Sequence, residues 1–187
     1  MKKVLLVAAM AVFGLTTATA QDVEFGAKLG LNFASVTGDN TSDLGPVTSF
    51  NYGLMAEVPL SEKFSFQPEV LYSGQGFAFD SDESSLVQLD YLTIPLMGKY
   101  YLTKGLSLEA GPQIGFLVSA KQDDVNLKDN YKGLDLGVNL GLGYKFDNGL
   151  NFSARYNLGL SDVNDVDSVS DKYKNGVMQV SIGYFFF

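Results

Sequence analysis

The sequence predicts an all-β protein, a closed up-and-down antiparallel barrel of about eight strands that spans a membrane. Three features carry this expectation. An export-type leader is followed by no apolar run long enough for a helical span, blocks of strict two-residue alternation recur along the chain, and the connections between them are alternately short and long.

The leader comes first. Lys2 and Lys3 precede an apolar run from Val4 to Leu15, and Ala18-Thr19-Ala20 supplies the small residues that a signal peptidase accepts. Residues 1–20 are therefore expected to be a cleaved signal peptide, with one barrel domain over 21–187. As a membrane helix this segment is too short, since a span needs about 20 apolar residues.

Alternation begins at once. Val23, Phe25, Ala27, Leu29, Leu31 and Phe33 form one face of a strand over 23–33, with Glu24, Gly26, Lys28, Gly30 and Asn32 between them. The pattern returns over 50–60 and in blocks near 64–77, 89–102, 106–120, 133–146, 150–161 and 176–187. Each is long enough for a tilted strand to cross a bilayer, which takes about 9–11 residues. The last block is less regular, because Phe185 and Phe187 stand out of phase with Met178, Val180, Ile182, Tyr184 and Phe186.

The connections 61–63, 103–105 and 147–149 are tight, and Asp147-Asn148-Gly149 is a good hairpin turn. Segments 34–48, 79–88, 121–132 and 162–175 are long and carry 12 acidic against 5 basic residues. Short periplasmic turns and long external loops produce this alternation, so a protein partner, if there is one, is expected at those four loops. Pro59, Pro68, Pro95 and Pro112 fall inside predicted strands, where a missing N–H donor points to bulges or strand starts.

Alternation alone does not say which face meets lipid. The small-polar face carries Glu24, Lys28, Glu57, Glu69, Lys99, Glu109, Asp135, Lys145 and Arg155, a set of both signs that suits an ion-paired lumen better than lipid. Aromatic residues gather on the apolar face near the strand ends. Phe25, Phe64, Phe66, Tyr100, Tyr144, Phe146, Phe152 and Tyr184 lie on the turn side, and Phe33, Phe50, Tyr52, Tyr72, Phe116 and Tyr156 toward the loops, as two interfacial girdles would. A soluble lipocalin-like barrel is the alternative with the apolar face inward. Lipid is thus the expected surroundings, the cell outer membrane the expected location, and a monomer the expected state.

Depth counted from the turn end of each strand sets Lys28, Glu57, Glu69, Lys99, Glu109 and Arg155 about three to five residues in, at roughly 10–17 Å for a rise of ~3.3 Å per residue. They are expected to form one structural charge layer, with Lys28 beside Glu57, Lys99 between Glu69 and Glu109, and Arg155 reaching across.

At the strand prolines the chain resembles the PorT-like outer-membrane β-barrel proteins of Bacteroidetes. The resembling stretches are FSFQPEVLYSGQG (64–76), LDYLTIPLMGKYYL (89–102), LEAGPQIGFLVSA (108–120) and ARYNLGLSDV (154–163). The resemblance implies the barrel fold and, through the member that names the family, a possible accessory role in protein secretion.

Catalytic chemistry finds little support. The chain has no His to serve as general base or acid and no Cys, and the carboxylates Glu69 and Glu109 read as members of ion pairs. No cofactor is expected and no metal site beyond a weak loop candidate, Asp162, Asp165 and Asp167, whose spacing is not that of an EF-hand. Without the leader, 11 basic residues stand against 21 acidic, a net charge of −10 that disfavours nucleic acid.

Overall fold

The computed structural model describes residues 23–38, 41, 44–79, 86–123, 125–165 and 172–186. The expected leader and Phe187 lie outside the described residues. Eight long strands form the wall: β1 (Glu24–Gly38), β2 (Val47–Pro59), β3 (Phe64–Phe79), β4 (Leu86–Tyr101), β5 (Leu106–Gln122), β6 (Leu134–Lys145), β7 (Leu150–Gly159) and β8 (Tyr173–Phe185). Each pairs antiparallel with its chain neighbours, and β1 pairs with β8 from Gly26↔Phe185 to Gly38↔Tyr173, which closes the barrel.

The period-2 pattern translates directly into inside and outside. Along β7, Asn151, Ser153, Arg155 and Asn157 are buried while Phe152, Ala154, Tyr156 and Leu158 are exposed. A water-soluble domain does not leave such a belt of Leu, Val and aromatic side chains bare, so lipid is what covers it. On the turn side the belt ends in touching rings: Tyr144 and Phe146 lie 4.8 Å apart, and Phe146 and Phe152 6.1 Å. Phe66, Tyr72 and Phe116, expected in the girdles, are only half-exposed.

Strands run further into the expected loops than the alternation indicated. Residues 34–38, 47–48, 79, 86–88, 121–122 and 173–175 belong to the wall. The physical reason is an inversion of the amphipathic phase. At the loop end of β4 the outward residues are Gln88 and Asp90, whereas Val87, Leu89 and Tyr91 point inward and are fully buried. Above the lipid the outer face must satisfy water, and apolar residues turn into the barrel instead.

None of the four strand prolines makes a bulge or starts a strand. Pro59 ends β2, while Pro68, Pro95 and Pro112 sit on the successive strands β3, β4 and β5. Registration resumes unchanged beyond each: Pro68 faces Leu96 and Leu71 faces Thr93, and Pro95 faces Gln113 and Gly98 faces Ala110. Each proline forfeits one ladder donor, and the intact bonds on either side hold the register. The shift between β4 and β5 occurs at Asp90/Tyr91 instead.

Two loops are tied together over the loop end. A bridge joins Tyr131 to Asn164, and the N–H of Lys132 donates to the carbonyl of Val163 at 2.9 Å.

Candidate functional site: a layered lumen

The interior is filled in three layers. Nearest the turns lies an ion-pair network. Arg155 bridges two strands' carboxylates, its Nη1 2.7 Å from Glu69 Oε1 and its Nε donating to Glu109 Oε2 at 2.6 Å. Lys28 Nζ donates to Glu69 Oε2 at 3.3 Å, and Gln67 Nε2 to Glu69 Oε1 at 2.6 Å. Lys99 Nζ meets Glu57 Oε2 and Gln67 Oε1, each at 3.0 Å, and lies 3.8 Å from Glu109 Oε1. Lys145 pairs with Glu24 and stands 3.5 Å from Glu57 Oε2, while the Tyr101 hydroxyl donates to Glu57 Oε1 at 2.5 Å.

The structure therefore brings Lys28, Glu57, Glu69, Lys99, Glu109 and Arg155 into one network, with Lys99 near Glu109 and Arg155 reaching across as read from depth, but with two pairings changed. Lys28 meets Glu69, not Glu57, and Lys99 joins Glu57 to Glu109 with no bond to Glu69. Barrel strands are staggered as well as tilted. Lys28 faces Gly53 on β2, and Glu57 faces Glu24 four residues lower, so equal counts from the turns are not equal heights.

Glu24 and Lys145 extend the network to four acids and four bases. They share the lumen face with the six, and their place at strand ends hid them. Phe185, out of phase with its strand by pattern, is the third surprise. It points inward, 4% exposed, with its ring centroid 4.5 Å from Lys145 Nζ and 5.9 Å from Lys99 Nζ, within cation–π range.

β6 makes room for this network with glycine. A Cβ on Gly143 would sit 2.2 Å from Glu109 Oε1, and one on Gly141 would sit 2.7 Å from Arg155 Cγ. Gly143→Val is expected to push Glu109 off Arg155 and lower stability by about 1–3 kcal/mol, the usual cost of overpacking. The urea midpoint of the refolded barrel checks this, and an unchanged midpoint would refute it.

Above the ions lies a layer of amides. Asn51 Nδ2 donates to Asn32 Oδ1 at 2.7 Å, Asn32 Nδ2 to Ser73 Oγ at 2.9 Å, and Ser181 Oγ to Asn51 Oδ1 at 3.0 Å. On the other side Asn157 Nδ2 reaches Asn139 Oδ1 at 3.2 Å, and Asn139 Nδ2 reaches Gln113 Oε1 at 3.1 Å. The loop end is apolar: Val36, Phe77, Val87, Leu89, Tyr91, Leu117 and Ala120 pack together under Leu44, Leu127 and Tyr131. Asp135, the ninth lumen-face charge, stands apart from the network and accepts from Ser161 Oγ at 2.8 Å and Asn175 Nδ2 at 3.1 Å.

Of the loop acids, Asp162 is committed to its own loop. Its Oδ1 accepts from the N–H groups of Asn164 (3.1 Å) and Tyr173 (3.0 Å), and its Oδ2 pairs with Lys132 at 3.3 Å. Burial pushes the carboxyl up, yet these donors together hold it below the usual carboxylate range. Asp165 is exposed and Asp167 lies outside the described residues. Among the described residues no three His, Cys, Asp or Glu side chains cluster closely enough to hold a metal ion.

A closed eight-stranded wall, lipid-facing outside and polar within, defines a small outer-membrane barrel. The chain belongs to the family described as the outer membrane protein beta-barrel domain, which matches residues 19–165. No curated protein matches it in sequence. Among solved structures it is similar to Neisserial surface protein A, with 14% identity and a TM-score of 0.59 over 87% of this chain and 97% of that one. It is also similar to Ail, the attachment invasion locus protein of Yersinia pestis, with 15% identity and a TM-score of 0.53 over 87% of this chain and 98% of that one. The same Yersinia pestis protein in a phospholipid bilayer nanodisc gives 15% identity and a TM-score of 0.51 over 88% of this chain and 100% of that one. At such identities the likeness speaks for the fold. The protein is an outer-membrane β-barrel.

Proposed function

We propose that this protein is a non-enzymatic barrel that does not conduct, and that it holds a firm rim of strand ends and loops above the membrane for contact with a partner. The observation behind this reading is the lumen, filled by ion pairs, amides and an apolar cap above an open mouth of about 660 Å³ at the turn end. Eight strands enclose little more space than their own side chains fill. The absence of His from the whole chain removes the side chain most often used for proton transfer.

Reconstituted into planar bilayers, the native protein is expected to remain electrically silent. Discrete conductance steps would replace this reading with that of a narrow pore. The PorT-like stretches support a second role, as an accessory barrel of a secretion machine. Purification from native outer membrane distinguishes the two, since a secretion accessory would come with stoichiometric envelope proteins and a self-sufficient surface protein would come as a monomer.

A further inference from the structure

Among the described residues, the ladder between β2 and β3 is interrupted near the loop end. It runs from Pro59↔Ser65 up to Asn51↔Ser73 and then stops. It resumes at Gly45↔Ala78 and Leu44↔Phe79, where an uninterrupted register would have set Gly45 opposite Phe79. Residues 47–50 and 74–77 therefore face each other unpaired, framed above and below by intact pairs. The carbonyl of Gly74 accepts from Asn32 Nδ2 on the lumen side at 2.7 Å.

A pocket of about 300 Å³ opens at this window, lined among others by Phe50, Tyr52, Tyr72, Gln75, Gln88 and Asp90. Tyr52 and Tyr72 stack with ring centroids 5.1 Å apart. Gln75 is 3% exposed; its Nε2 donates to Ser73 Oγ at 3.3 Å, and its Oε1 has no partner. Gln75 lies in phase with the inward Ser73 and Phe77, so it backs the pocket from the lumen side while Phe50, Tyr52, Tyr72 and Gln88 face outward.

We propose that this window binds an uncharged sugar ring, presented by a glycolipid of the outer leaflet. Four features lead there. Phe50 and Tyr52 belong to the aromatic residues of the loop side, which sit at headgroup level. Stacked tyrosines offer flat faces to the C–H side of a sugar. Gln88, and Asp90 beside the Tyr72 hydroxyl it accepts from, offer acceptors to its hydroxyls. Among the described residues no Lys or Arg lines the pocket, so a phosphate finds no counter-charge there. The site is independent of whether the lumen conducts.

The test uses the mature chain, labelled with fluorotyrosine and refolded into phosphatidylcholine nanodiscs, with ¹⁹F resonances of Tyr52 and Tyr72 as the readout. Addition of digalactosyldiacylglycerol to the bilayer is expected to shift both resonances saturably. Gln88→Leu is expected to weaken the apparent affinity about five- to tenfold, the effect of losing one hydrogen bond. Tyr52→Ala, an outward residue whose loss leaves the wall intact, is expected to abolish the saturable shift at Tyr72, and it serves if Gln88→Leu fails to fold. An equal response to phosphatidylglycerol would overturn the neutral-sugar assignment. Saturation by free methyl galactoside with none by the glycolipid would overturn the membrane source. No shift with any probe, or wild-type affinity in both variants, would overturn the site itself.

Discussion

Arg155→Ala is expected to lower the stability of the barrel by about 3–5 kcal/mol, the usual cost of breaking a buried pair by removing one partner. Arg155 is the group that joins Glu69 to Glu109. Without it Glu69 keeps Lys28 and Gln67, but Glu109 keeps only the distant Lys99 at 3.8 Å and the Ser107 hydroxyl at 3.5 Å. Two carboxylates in a narrow lumen then repel each other, and water entering to solvate them reduces the loss while opening the layer. The urea midpoint should fall and conductance steps should appear. Arg155→Lys keeps the charge but loses the planar fork that reaches two acids, so an intermediate loss is expected. Lys104→Ala, on an exposed turn, should leave both measurements unchanged. Equal stability and silence for Arg155→Ala and Lys104→Ala would show that the network is not what fills and braces the lumen.

Leu140→Arg is the second large effect. Leu140 lies in the middle of β6, 59% exposed on the outer face, between Ala110 of β5 and Tyr156 of β7. Arginine near the bilayer midplane costs about 2–4 kcal/mol, a cost that vanishes toward the interfaces. The variant refolded into lipid vesicles should lose that much stability, and Leu134→Arg, at the loop end of the same strand, should lose far less. Equal tolerance of the two would mean that the belt does not sit in hydrocarbon.

The eight strands were legible because lipid outside and polar filling inside force a period of two on every strand, and β6 with Leu134 to Tyr144 alternating against Asp135 to Lys145 is the plainest case. Strand ends at the loop side were not. There the solvent changes from lipid to water, the pattern inverts at Val87, Leu89 and Tyr91, and a reader following the apolar face loses the strand. The members of the charge network could be named from face and depth. Lys99 beside Glu109 and Arg155 reaching across could be read as well, whereas the partner of Lys28 could not, because stagger between β1 and β2 sets Lys28 against Gly53. Phe185 stands out of phase in the sequence because it points inward, and an inward aromatic blurs the alternation that marks a strand. The window between β2 and β3 left no mark in the sequence, since it arises from a one-residue change of register.

The ion-pair layer also bears on how the barrel comes to close. Glu24 and Lys28 come from β1, Glu57 from β2, Glu69 from β3, Lys99 from β4, Glu109 from β5, Lys145 from β6, Arg155 from β7, and Phe185 from β8. Every strand thus supplies a member. A sheet that is still open, or that has closed one strand short, leaves charge without a counter-charge on its concave face, and Lys145 reaches Glu24 only once β1 and β8 have zipped together. Incomplete assemblies are therefore penalised in proportion to what they lack, and the final step of assembly gathers a cooperative gain that no earlier hairpin possesses.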